Sequence, residues 1–145
     1  MREPFGGILL HIAFRLIIPF SLVYAIYVLV LGETSPGGGF QAGVVLAFGI
    51  LLARLVLGAE AKAFNIRLET SLALAGIGTF IYAAAGWLTL FGGGKFLDYS
   101  FLPFAMHDPR ELHALGILII EIGVTVCVMM TILNIMAVVT KRSDD

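Results

Sequence analysis

Glu121 is the residue whose position most demands a chemical explanation. It stands eight residues into the apolar stretch His113–Thr140, a depth of ~12 Å at 1.5 Å per helical residue. An ionisable side chain inside lipid costs at least ~2.5–3.5 kcal/mol at the centre of a span. A carboxyl at that depth is therefore neutral, paired, or turned toward a wet cavity. Steps of four carry His113, Ile117, Glu121 and Thr125 along one broad side of a helix. A carboxyl aligned with an imidazole nearer the surface is the chemistry of a proton or cation relay. The alternative is a carboxyl that hydrogen-bonds a neighbouring helix and specifies docking. Both readings stay open on the sequence.

His11 and Arg15 form a second polar stripe, one turn apart on the first apolar stretch. Arginine stays charged at any realistic pH, so Arg15 is suited to hold a carboxylate ionised or to position a lipid phosphate, or else to snorkel. Arg54, near the end of its own stretch, is expected to snorkel to the interface. Arg15 lies ~10 Å from one face and Glu121 ~12 Å from the other, within a core of ~30 Å. The two are thus expected to find partners on other chains.

Ser35-Pro36-Gly37-Gly38-Gly39-Phe40-Gln41 is the most specific local feature. Pro36 fixes one φ angle, and Gly37, Gly38 and Gly39 allow a sharp turn and close backbone approach by a neighbour. With Phe40, this segment reads as a subunit-packing loop. It lacks a Walker pattern, so a phosphate cradle is not expected. His107, Asp108, Glu111 and His113 carry metal-ligand atoms, but Asp108-Pro109-Arg110-Glu111 has the pattern of a helix cap, with Pro109 at the first helical position. No nucleophile–base pair, metal cluster or haem motif is apparent. The lone Cys127 lies in an apolar run and reads as a packing residue. No catalytic residue, metal or cofactor is expected on this chain.

The elements that must position these residues follow from composition. Of 145 residues 59% are hydrophobic and 13% charged, about half the charge of a soluble domain, and mean hydropathy is +1.00. Nine Lys/Arg against ten Asp/Glu leave no basic excess for nucleic acid. Runs of roughly 20 apolar residues fall at residues 8–31, 41–58, 70–91 and 113–140. They are continuous rather than alternating, so helices are expected and not barrel strands. The fold class is an all-α integral membrane protein with four transmembrane helices in a single membrane domain, 1–145. Arg2, Lys62, Arg67, Lys141 and Arg142 fall on one side, against Lys95 and Arg110 on the other. Both termini are therefore expected in the cytoplasm.

The third connection, Lys95 to Phe104, mixes aromatic and charged residues. It is expected to lie along the outer interface or over a neighbouring subunit. Ala75, Thr79 and Ala83 recur every four residues, with Gly78 and Gly86 beside them. Such stripes let helices approach closely in lipid. Four helices of this size leave little room to enclose a transport path, which suggests a subunit of something larger.

The run Gly32-Glu33-Thr34-Ser35-Pro36-Gly37-Gly38-Gly39-Phe40-Gln41-Ala42-Gly43 follows a first span bearing Arg15 and Pro19. With the four-span layout and polar third loop, it resembles the B subunit of Mrp-type multisubunit Na⁺/H⁺ antiporters over nearly the whole chain. The resemblance implies a small accessory subunit in the cell membrane, multi-pass, next to larger ion-translocating antiporter subunits. It equally admits a place in membrane-bound hydrogenases and related energy-converting complexes. There, hydrogenase-like redox subunits would carry all redox cofactors, and this chain would be non-catalytic. A purely structural scaffold that contacts membrane lipids is the rival reading. If this chain contributes chemistry to transport, Glu121 is the expected site of protonation or cation contact, with His113 at the outer entrance.

Overall fold

In a computed structural model, residues 7–32, 37–58, 64–104 and 108–142 are described. Four α-helices account for most of them: α1 (Ile8–Val30), α2 (Gly39–Leu57), α3 (Leu68–Phe91) and α4 (Pro109–Arg142). All four are long and apolar enough to cross a membrane. Lipid offers no partner for backbone N–H and C=O groups, and a helix satisfies them within itself. The apolar runs thus become helices without marked β or turn content.

The helix ends depart from the apolar runs where polar residues continue a helix. Helix α4 begins at Pro109 rather than His113, because the N–H of Arg110 donates to Oδ1 of Asp108 at 2.9 Å. That bond satisfies a donor the first turn otherwise leaves orphaned. With 34 residues, α4 spans about 50 Å and exceeds a hydrocarbon core of about 30 Å. Helix α2 begins at Gly39, after Gly38 in a left-handed conformation (φ 98°) that favours glycine.

Packing places the helices side by side in the order α1, α2, α4, α3, with α1 and α3 separated by the central pair. Val28 meets Gly37, and Ser21 meets Gly49, so α1 and α2 run antiparallel. Gly39 meets Glu121, and Gly43 meets Thr125 and Val128, so α2 and α4 run parallel. Ser71 donates to the carbonyl of Met130 at 3.3 Å and Gly78 meets Gly123, so α3 runs antiparallel to α4. Helix α2 is buried over 44% of its most apolar window, against 22% for each of the others. The arrangement is a layer with two broad apolar sides, and Ile50, Met130 and Leu133 form its thin centre.

Small residues set these approaches. A Cβ on Gly78 would stand 2.5 Å from the carbonyl oxygen of Gly123, and one on Gly123 2.8 Å from that of Gly78. Van der Waals contact between backbones replaces a hydrophobic driving force that lipid does not supply. Beside it, Thr79 Oγ1 and Cys127 Sγ lie 3.3 Å apart, so the lone cysteine packs between α3 and α4.

Candidate functional site

The Glu121 side chain is held by two segments, α4 and the connection from α1 to α2. A Cβ built on Gly32 would stand 2.5 Å from both carboxyl oxygens, and one on Gly38 would stand 2.9 Å from Oε1. Gly39 faces the Glu121 backbone so closely that a Cβ would collide with its carbonyl oxygen. The half-buried carboxyl therefore lies in a cradle of glycines with no room for another side chain on that side. It also sits at the amino end of α2, where the helix macrodipole is positive.

Thr125, one turn further along, locks the two helices. Its hydroxyl lies 2.9 Å from the carbonyl of Gly39 and 2.7 Å from that of Glu121, and its single proton is shared between them. Thr125 is almost fully buried.

From Glu121 a groove of about 360 Å³ follows α4 toward its amino end, lined by Val30, Ala114, Leu115, Ile117 and Leu118 and reaching Glu111. Glu111 is exposed and Glu121 half-buried. Two carboxyls thus line one open groove, about 15 Å apart along α4.

His113 takes the other direction. Its Nε2 lies 2.8 Å from Oγ of Ser100, and its ring meets Tyr99 edge-to-face at 6.1 Å between centroids. At 100° per residue, Glu111 and His113 lie about 80° to opposite sides of the Glu121 direction. Glu121 and Thr125 face α2, whereas His113 faces the third connection. That connection folds on its own chain: Phe96 covers Gly86, Tyr99 covers Gly116, and Leu102 is buried. The N–H of Leu97 donates to the fully buried Thr89 hydroxyl at 3.0 Å. Burial, and then the neighbouring Tyr82, push the Tyr99 phenol above its usual range.

The remaining polar residues are dispersed. Arg15 is exposed on α1. His11 is half-buried, and its Nδ1 is enclosed without a hydrogen-bond partner among the described residues. Arg54 does not snorkel outright: its Nε donates to the carbonyl of Phe64 at 2.8 Å. Gly37, Gly38, Gly39 and Phe40 are all described. Phe40 is two-thirds exposed and Gly37 is exposed, while Gly38 and Gly39 are buried. Pro36 and His107 lie outside the described residues. Gly32 opens the motif run, but the sequence assigns a close approach only to Gly37, Gly38 and Gly39. The signal for Gly32 is the place of a glycine immediately after an apolar run, within reach of the next turn.

The match to known proteins covers this whole framework. The family profile described as "Domain related to MnhB subunit of Na+/H+ antiporter" matches residues 9–134. The chain belongs to this family. It is similar to the B subunit of the Na(+)/H(+) antiporter of Bacillus subtilis (strain 168), with 25% identity over 139 residues, covering 90% of this chain and 96% of that protein. It is also similar to the "Putative antiporter subunit mnhB2" of Staphylococcus aureus (strain Newman), at 22% identity and 94% coverage of both chains. The matched segment runs from the start of α1 to within the last turns of α4, and so contains Arg15, the glycine cradle, Glu121 and His113. A multi-pass membrane protein of the MnhB family thus carries the Glu121 carboxyl of α4 against its own first connection.

Proposed function

We propose that this chain is an accessory subunit of a multisubunit Na⁺/H⁺ antiporter, and that Glu121 exchanges protons or contacts the cation during transport. The observation that supports this reading is the open groove that exposed Glu111 and half-buried Glu121 both line. A carboxyl that exchanges protons requires access from outside the chain, and a carboxyl needed only for docking does not. The other antiporter subunits are its partners, and they cover the two apolar sides of the layer. Glu111 lines the same groove as Glu121, about 80° round α4 from it. His113 is the second relay candidate, and its use requires its ring to leave Ser100. Arg15, with His11 beside it, suits a carboxylate of an adjoining subunit.

The test is antiport in vesicles carrying Glu121→Gln, Glu111→Gln and Arg15→Ala complexes, with assembly followed on native gels. Glu121→Gln keeps the shape of the side chain and removes its titratable proton. Loss of antiport of at least about tenfold is expected, equivalent to roughly 1.4 kcal/mol, with assembly intact. Loss of assembly instead assigns Glu121 to docking.

That docking role is the second reading, and the Thr125 bond to Gly39 favours it: the contact between α2 and α4 is already specified there by hydrogen bonding and close packing. Under it, the chain scaffolds an antiporter or a hydrogenase-type complex without touching the ion. Co-purifying polypeptides separate those settings, because redox subunits accompany the chain only in the latter.

A further inference from the structure

At the opposite end of α2 and α4, Arg54 stands on the edge of an apolar groove of about 450 Å³, lined mainly by Phe48, Leu51, Leu55, Met136 and Ala137. The guanidinium is fixed by its Nε bond to the Phe64 carbonyl. Its Nη2 is enclosed and has no hydrogen-bond partner among the described residues. A guanidinium carries five donors and no acceptor, and Arg54 is the one charged residue among the described residues that line the groove. We propose that this groove binds an anionic phospholipid, with an acyl chain along the apolar wall and the phosphate against Arg54.

Two features select that occupant. The charge is complementary, since guanidinium matches phosphate geometry and is the cation best suited to it. The depth is right: Arg54 lies three residues from the end of α2, about 4.5 Å, close to where hydrocarbon gives way to headgroups.

The experiment uses the assembled membrane complex in nanodiscs containing phosphatidylglycerol with a photoreactive acyl chain, and maps labelled peptides by mass. Labelling is expected on residues 48–55 and 136–140. It should fall about tenfold in Arg54→Gln, the loss of one charge-assisted hydrogen bond, and recover in part in Arg54→Lys. Ala137→Trp, which fills the groove from its exposed apolar wall, should abolish labelling with Arg54 intact. Arg67→Gln, a change at an exposed arginine near the same end, should leave it unchanged. The photoreactive phosphatidylcholine analogue should label several-fold less. Equal labelling in Arg54→Gln, equal labelling by phosphatidylcholine, or a comparable loss in Arg67→Gln overturns the proposal. So does a photoreactive residue at position 55 that joins the groove to another polypeptide.

Discussion

The two ends of the α2–α4 pair solve the problem of a charge near lipid in opposite ways. At one end Glu121 is packed by backbone: Gly32, Gly38 and Gly39 leave its carboxyl no free space on that side. At the other, Arg54 has a single backbone acceptor among the described residues and an open apolar groove beside it. The helices are parallel, so they can close tightly at one end and diverge at the other only if residue size changes along the contact. It does. Glycines at 39 and 43 meet α4 at the closed end, while Phe48, Leu51 and Leu55 face Met136 and Ala137 at the open end. The closed end fixes geometry, and the open end leaves surface for something outside the chain.

Gly39→Val tests the closed end with the largest expected effect. Its side chain would enter the space of the Glu121 carbonyl, and the two helices would have to separate. Overpacking costs about 1–3 kcal/mol, and more where backbone is the obstacle. The amount of assembled complex on native gels should fall several-fold, and thermal stability with it. Ala137→Leu, the matching enlargement at the open end, should stay within about 0.5 kcal/mol of the parent. Equal losses in the two variants would erase the distinction between the ends.

Thr125→Val sharpens the same contrast with a smaller change. The shape is nearly kept, and the hydroxyl that joins Gly39 to Glu121 is lost. Intramembrane hydrogen bonds contribute about 0.6 kcal/mol on average and up to about 1.7. A modest drop in melting temperature is expected, with a larger deficit when Thr125→Val is combined with Glu121→Gln than the two single changes predict. Simple additivity would mean that the threonine hydroxyl and the Glu121 carboxyl act independently.

How much of this is legible in the residues differs between the ends too. The four helices follow from apolar runs because lipid leaves the backbone few alternatives. The start of α4 is readable only through Asp108 and Pro109, since hydropathy alone does not register a polar helical turn. The glycines at 37–39 announce a close approach, but a sequence does not say which element approaches. Depth alone sends Glu121 to another chain for its partner, whereas the structure puts α4 of the same chain against the loop. Parallel pairing of α2 with α4 is the missing information, and it is a property of packing between distant segments. His113 illustrates the limit of helical spacing. Steps of four place it on the broad side that bears Glu121, yet the turn of about 80° between them is enough to give it Ser100 and Tyr99 as neighbours.

The smallest effect is expected from a charge near the open end that is solved in a third way. Arg67 and Glu69 approach to 3.6 Å with side chains 81% and 87% exposed. They are two residues apart and lie at the boundary of α3, where no helical face brings them together. Water screens such a pair, and ordering two long side chains offsets the attraction, so it contributes about 0–1 kcal/mol. Arg67→Gln should therefore leave the melting temperature of the complex within the range of about 0.5 kcal/mol. Arg54→Gln removes a hydrogen bond to the Phe64 carbonyl and should exceed that change. An effect of Arg67→Gln as large as that of Arg54→Gln would show that net positive charge at this end, and not the position of one guanidinium beside the groove, is what the layer requires.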